Sequence, residues 1–289
     1  MNDFWRKIFS WSNSRQRLWD ECRLAYYCRY IEKWNYNKNH PFRKELDRLS
    51  ELTSLDAFQG SVVHEVLEVQ INQHMLGRST DKSAAQAQYV ARLKAAERSP
   101  EKYLVESVNK QPVDSSLFRK MEDAGVRQIE NFFTVFWPVY RSLKYMEHEK
   151  FDRFKLHGQL EVVVKVDLVT KSNNNIVITD WKTGMEREEH KEQIGVYVLW
   201  AMEKYSVPAR NVKAEIVYLD TCGQKIYDLE PVALEDLKNA ISLKAGEMLQ
   251  VNKKEDFSPN PAPWKCKRCN YMTICEWGKR ILPETESSP

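Results

Sequence analysis

Apolar positions in the first half of the chain recur every three or four residues, the period of an amphipathic helix. The clearest stretches are GSVVHEVLEVQINQHM, AAQAQYVARLKAAE and LFRKMEDAGVRQIENFFTVF, all between residues 60 and 143. Pro100, Pro112 and Pro138 interrupt or end them, because proline cannot continue a helical hydrogen-bond ladder. Residues 1–45, rich in Trp, Tyr and Arg, also read as helical. From 145 to 182 Val and Ile take over and the pattern becomes β, with KSNNN as a turn. A helix over about 186–205 follows, then a strand VKAEIVYLD at 212–220, a turn at TCGQ, a strand KIYDL and a helix over about 233–252. The tail, SPNPAPWKCKRCNYMTICEWG, is proline-broken and carries cysteines. The predicted fold is α/β, a mixed central sheet flanked by helices.

Composition narrows the class. With 289 residues, 42% hydrophobic and 29% charged, the chain is long enough for a real core and has a globular profile. No apolar stretch approaches the ~20 residues of a membrane span. The start, MNDFWRKIFSWSNS, lacks the continuous apolar region of a secretory signal, so the expected location is cytoplasmic, with no membrane partner. A net charge of +3 permits a polyanionic partner without demanding one. Six cysteines in such a chain point to metal ligation or spare thiols rather than disulfides. No GxxxxGK[ST] loop is present, which excludes a nucleotide-driven motor of that type.

The chemistry gathers in two strands. Side chains alternate faces along a strand, so in EVVVKVDLV (161–169) Val162, Val164, Val166 and Leu168 form one apolar face, while Glu161, Lys165 and Asp167 share the other. In IVITDWKTG (176–184) Ile176, Ile178, Asp180 and Lys182 share a face that turns charged at its end. For a single Asp/Lys pair, a salt bridge at a sheet edge is the plain alternative. Two carboxylates at short range also suit a hard cation such as Mg²⁺, which activates water and neutralises charge on a phosphodiester. A lysine beside them can position that water or steady the phosphate.

These strings resemble motifs II and III of the PD-(D/E)XK nuclease superfamily, in its RecB-like branch. That branch also carries a histidine in a G-x-x-x-H helix and a Q-x-x-x-Y helix after the D-x-K motif. GSVVHEVL supplies His64, and QIGVY supplies Gln193 and Tyr197, which lie i,i+4 on one helical face. His64 alone, at the edge of the stripe made by Leu67 and Ile71, reads as an ordinary structural histidine. The order of all four motifs gives it a role. The resemblance implies that His64, Asp167, Asp180 and the main-chain carbonyl of Trp181 bind Mg²⁺ or Mn²⁺, that Lys182 orients the attacking water, and that Gln193 and Tyr197 support the site.

The tail reads Cys266-x-x-Cys269-x₅-Cys275, three ligands without a fourth nearby. Cys22 and Cys28 are six residues apart, about 240° around a continuous helix, so only one of them is expected to face a shared site. Iron–sulfur members of the same branch carry one cysteine near the N-terminus and three in a C-terminal cluster. CRLAYY matches at Cys22, although no proline follows it. The resemblance therefore implies a 4Fe–4S cluster on Cys22, Cys266, Cys269 and Cys275, with Cys28 and Cys222 as plain thiols; a zinc site on the same four cysteines is the alternative.

The resemblance spans nearly the whole chain and implies one nuclease domain over 1–289. Within it, 1–45 supplies a cluster cysteine, 60–143 is helical and carries His64, 145–230 is the β-rich catalytic core, and 257–289 holds the cysteines. A helical insertion at about 75–143 and an iron–sulfur clasp between the termini complete the expectation. The implied activity is metal-dependent hydrolysis of DNA, as an exonuclease on single strands or frayed ends, in DNA repair, recombination or CRISPR spacer processing. A helicase or CRISPR integrase is the implied protein partner. A catalytically silent DNA-binding scaffold is the other class, and retention of Asp167, Asp180 and Lys182 speaks against it. The N-terminal helical region, with Arg15, Arg17, Arg23, Tyr26 and Tyr27, offers rings to stack bases and cations to hold phosphates, or packs beside the cluster.

Overall fold

The computed structural model describes residues 4–172, 175–251 and 253–281. Parts of four expected features lie outside these residues: Asn173 and Asn174 of the KSNNN turn, 1–3 of the N-terminal segment, Asn252 at the end of the helix expected over about 233–252, and 282–289 of the cysteine-bearing segment. The helices of eight residues or more are α1 (Asn13–Glu21), α2 (Arg23–Tyr30), α3 (Pro41–Glu51), α4 (Leu55–Met75), α5 (Lys82–Arg98), α6 (Ser115–Asn131), α7 (Glu189–Tyr205) and α8 (Pro231–Gln250). The strands are β1 (Lys144–Leu156), β2 (Leu160–Ser172), β3 (Asn175–Lys182), β4 (Val212–Tyr218) and β5 (Gly223–Tyr227). The chain divides into two compact units.

One unit comprises 59–95 and 116–243 and contains the sheet, in the order β1-β2-β3-β4-β5. Only β3 and β4 run parallel; their neighbours pair antiparallel. A parallel pair needs a crossover, and α7 provides it. β1 turns into β2 through His157 and Gly158, both at positive φ, a conformation glycine adopts without strain. The expected apolar face of β2 is buried throughout, from Val162 to Leu168. Its other face differs from expectation, because Asp167 and Val169 are buried too. The reason is coverage: α7 packs along β1 to β4 and its Tyr197 reaches the Lys165 carbonyl, so β2, although antiparallel to both neighbours, is covered on this face as well. On the opposite side, the Trp181 indole meets Phe132 at 5.4 Å and Tyr140 at 5.2 Å, both edge-on.

The other unit gathers 1–58, 96–115 and 244–289. Residues 96–115, which lie within the expected helical region 60–143, belong to this unit. Its core joins Ala25, Leu46, Leu49, Leu52, Val105 and Tyr271, with Cys22, Cys28 and Cys269 packed against it. The proline-broken tail has little periodic apolar surface, and asparagines hold it. Asn109 Nδ2 donates to the carbonyls of Lys267 (2.8 Å) and Cys269 (3.0 Å), and Asn270 Nδ2 donates to those of Leu49 and Leu52 (2.7 Å each).

Candidate active site

The site is built in the unit that holds the sheet, at the end of β3. The last register pair of β2 and β3 is Leu168 with Thr179, so Asp167 and Asp180 are the next residues on two neighbouring strands. Asp167 is held from two sides. His64 Nδ1 lies 3.2 Å from its Oδ1, and the Trp181 N–H donates to its Oδ2 at 2.8 Å. His64 reaches this point because Gly60 leaves room: a Cβ there would stand 2.8 Å from Thr183 Oγ1, just past the D-x-K motif. The glycine of G-x-x-x-H therefore lets α4 approach the strand end. Gln128, itself bonded to Gln59, donates to the Thr183 carbonyl at 3.0 Å and steadies the same segment.

From Lys182 a chain of polar contacts runs into α7. Its Nζ lies 2.7 Å from Asp180 Oδ2 and donates to Gln193 Oε1 at 2.8 Å. Gln193 Nε2 donates to the Tyr197 hydroxyl at 2.7 Å, and that hydroxyl donates to the Lys165 carbonyl of β2 at 2.6 Å. The i,i+4 spacing of Gln193 and Tyr197 makes this relay possible on one helical face.

The carboxylates differ in environment. Asp180 Oδ2 is buried and, among the described residues, has no aligned hydrogen-bond donor; its contact with Lys182 is an ion pair by distance alone. By contrast, the buried Glu215 accepts from Tyr140 (2.7 Å), Thr179 (2.7 Å) and Gln224 (2.6 Å), which marks it as structural. Burial pushes Asp180 up to about 6, Lys182 works against this, and Asp167 adds to it. Burial acts on Asp167 too, but His64, Lys182 and the Trp181 N–H outweigh it and hold that carboxyl below its ordinary value. Neighbouring carboxyls pushed apart in this way are a common mark of a working site.

Among the described residues no three His, Cys, Asp or Glu side chains gather closely enough to hold a metal ion. His64, Asp167 and Asp180 are instead paired off, with His64 on Asp167 and Lys182 on Asp180. The donor set nevertheless fits a hard divalent cation: two buried carboxyls, one with an oxygen lacking an aligned donor, beside an imidazole. The Trp181 carbonyl belongs to the same strand end.

Two residues escape the motifs. His190 is buried, with its Nδ1 3.1 Å from the Tyr218 hydroxyl, and Tyr218 is the register partner of Lys182. Burial, then the Lys182 charge, holds the imidazole below its ordinary value. His190 precedes Gln193 by three residues, a spacing that puts both on one side of α7.

The cysteines form a separate group in the other unit. Cys22, Cys266, Cys269 and Cys275 line one cavity, and Cys28 lines it as well. The expectation that only one of Cys22 and Cys28 faces the site assumed a continuous helix. Cys22 has extended backbone (φ −164°, ψ 110°) between α1 and α2, so the helical angle does not apply. Burial pushes the Cys269 thiol up to about 12, with Cys22, Cys266 and Cys275 among the added causes. Burial raises Cys28 as well, with Glu32, Cys269 and Cys275 adding to it. Five thiols thus line one cavity, although among the described residues no three of them gather closely enough to hold a metal ion. Cys222 lies elsewhere, at the turn between β4 and β5 with φ 57°.

The N-terminal residues expected on DNA are placed unequally. Tyr26 and Tyr27 are each 2% exposed, packed against Trp19 and Phe257 respectively, so neither ring has a face for a base. Their positions follow the core-facing stripe of α2. Arg17 is exposed and 3.9 Å from Glu21, Arg23 lies over the Trp19 ring, and Arg15 bonds to Ser10.

The family profile of the PD-(D/E)XK nuclease superfamily matches residues 10–276, and the chain belongs to that superfamily. Among solved structures, a chain described as "Crystal structure of SSO0001" is similar at 16% identity, covering 65% of this chain and 81% of its own length. Its TM-score of 0.31 is too low to carry an argument. No curated protein matches the sequence.

Proposed function

From membership in that superfamily, we propose that this protein is a metal-dependent deoxyribonuclease of the RecB-like kind, acting as an exonuclease on single-stranded or frayed DNA ends. The observation that carries this reading is the continuous line from Asp180 through Lys182, Gln193 and Tyr197 to the Lys165 carbonyl, beside the His64–Asp167 pair. His64, Asp167, Asp180 and the Trp181 carbonyl would hold Mg²⁺ or Mn²⁺, which acidifies water and offsets charge growing on the phosphate. The protein's own part is orientation. Gln193 takes the Lys182 ammonium by one hydrogen, leaving others to direct a water or a phosphoryl oxygen. The Trp181 N–H and His64 keep Asp167 ionised and fixed.

The thiol-lined cavity supports a 4Fe–4S cluster on Cys22, Cys266, Cys269 and Cys275, with zinc as the alternative. DNA repair, recombination and CRISPR spacer processing are the settings this reading suggests, with a helicase or integrase as partner. Incubation of end-labelled single strands with Mn²⁺ and with chelator tests the proposal. Release of nucleotides only with metal supports it. Binding without cleavage under every metal condition replaces it with the scaffold reading.

A further inference from the structure

A cavity of about 290 Å³ lies entirely within the unit formed by 1–58, 96–115 and 244–289, apart from the thiols. Its lining brings Arg15, Arg29 and Lys33 together with the rings of Trp5, Tyr30 and Trp34, and among the described residues no carboxylate lines it. The guanidinium of Arg15 lies 4.8 Å from the Tyr30 ring centre and that of Arg29 lies 5.8 Å from the same centre, so two like charges surround one ring. Arg15 is anchored by Nη1, which donates to the carbonyl and the hydroxyl of Ser10 at 2.6 Å each. Neither arginine has a carboxylate partner among the described residues, while Lys33 stands 3.6 Å from Asp47. Trp34 is held in place by its Nε1, which donates to the Tyr30 carbonyl at 3.1 Å.

Like charges brought together in a half-buried, ring-lined cavity repel one another, and an anion relieves that repulsion. Guanidinium pairs favour phosphate because their donors match its oxygens two at a time. The adjoining rings already hold cations, with both guanidiniums at Tyr30 and with Arg43 at 4.8 Å and Lys33 at 5.4 Å from the Trp34 ring centre, so a base would meet ring edges and guanidinium planes together. The volume sits at the small end of ligand pockets, right for one nucleotide rather than a strand. We infer that this cavity binds the 5′-phosphorylated terminal nucleotide of a DNA strand, with the phosphate on Arg15 and Arg29 and the base against Tyr30 and Trp34. The inference rests on the DNA-nuclease reading for its choice of nucleotide, but not on the metal site.

The test uses thymidine 5′-monophosphate with the full-length protein in chelator, followed by tryptophan fluorescence, since Trp5 and Trp34 line the cavity. Saturable binding is expected, at least tenfold tighter than that of inorganic phosphate or thymidine alone, and weakening as salt rises. Arg29→Gln is expected to weaken it about tenfold with an unchanged thermal melt. Asp180→Asn is expected to bind as the wild type does. Equal affinity for phosphate and nucleotide overturns the base contact, and equal affinity for thymidine and nucleotide overturns the phosphate contact. Loss of binding in Asp180→Asn moves the nucleotide to the strand-end site and overturns the inference. Absence of saturable binding also overturns it, even where metal-dependent cleavage is seen. Nucleotide binding without any cleavage supports the cavity and strikes only the nuclease reading.

Discussion

Gln193 Oε1 accepts from Lys182 Nζ at 2.8 Å, so the ammonium at the end of β3 is positioned from the helix that follows it. The amide is itself oriented, because its nitrogen side is taken by the Tyr197 hydroxyl. A lysine on a strand end would otherwise sample many rotamers. Here its direction is set by two elements at once.

Lys182→Ala and Asp180→Asn are therefore expected to reduce cleavage of labelled single strands by about two to three orders of magnitude, the usual scale for losing one preorganised charge. DNA binding and folding should persist. Near-normal cleavage by either variant at saturating Mn²⁺ would falsify the site assignment.

Tyr197→Phe tests the relay more gently. It removes the bond to the Lys165 carbonyl and the acceptor for Gln193, but leaves Lys182 its charge. A fall in kcat of about tenfold with KM nearly unchanged is expected, the pattern of a positioning loss. An unchanged kcat, or a change confined to KM, counts against the relay.

Asp180 predicts a pH dependence of the metal-free protein. Its carboxyl is raised from 3.8 to about 6, chiefly by burial, so between those values the folded state holds a proton that the unfolded state has lost. The contribution of this group to stability thus falls as pH rises through that window. At pH 7, metal-free Asp180→Asn should melt higher than the wild type by roughly a few degrees, although its cleavage is impaired. The same melts at pH 3.5, where this carboxyl is mostly protonated in both states, should differ far less. A lower melt for the variant at pH 7 refutes the environment described for Asp180.

Gly60→Ala should disturb the His64–Asp167 pair, because the new Cβ would stand 2.8 Å from Thr183 Oγ1. Cleavage is expected to drop, and Thr183→Ala in the same chain is expected to restore much of it, since the next nearest atom, Thr183 Cβ, lies 3.9 Å away. Activity in the double variant no better than in Gly60→Ala shows that the close approach is not what matters.

The thiol cavity predicts colour. Protein prepared without oxygen should absorb broadly in the visible and contain iron and sulfide. Cys269→Ser should bleach it and speed proteolysis of the C-terminal tail. Asn109→Leu, which cuts two bonds to that tail, should loosen it as well. Colourless wild-type protein holding one zinc would leave the clasp and remove the cluster.

Some of this was legible in the residues alone. The apolar alternation of 161–169, the D-x-K string and the i,i+4 pair of Gln193 and Tyr197 are local patterns, and local geometry is enough to put such residues on one face of a strand or helix. The helices and strands follow the predicted order for the same reason. What the sequence could not decide was which faces meet. Asp167 is buried because α7 covers a face that periodicity marked as polar, and Tyr26 and Tyr27 are buried because rings that suit a base also suit a core. Cys28 joins the other thiols because the chain breaks at Cys22, a turn of the backbone that a helical wheel does not register. The cavity around Arg15, Arg29 and Trp34 likewise depends on segments brought together by folding. Spacing along a chain dictates direction within one element; burial and charge environment depend on what packs against it.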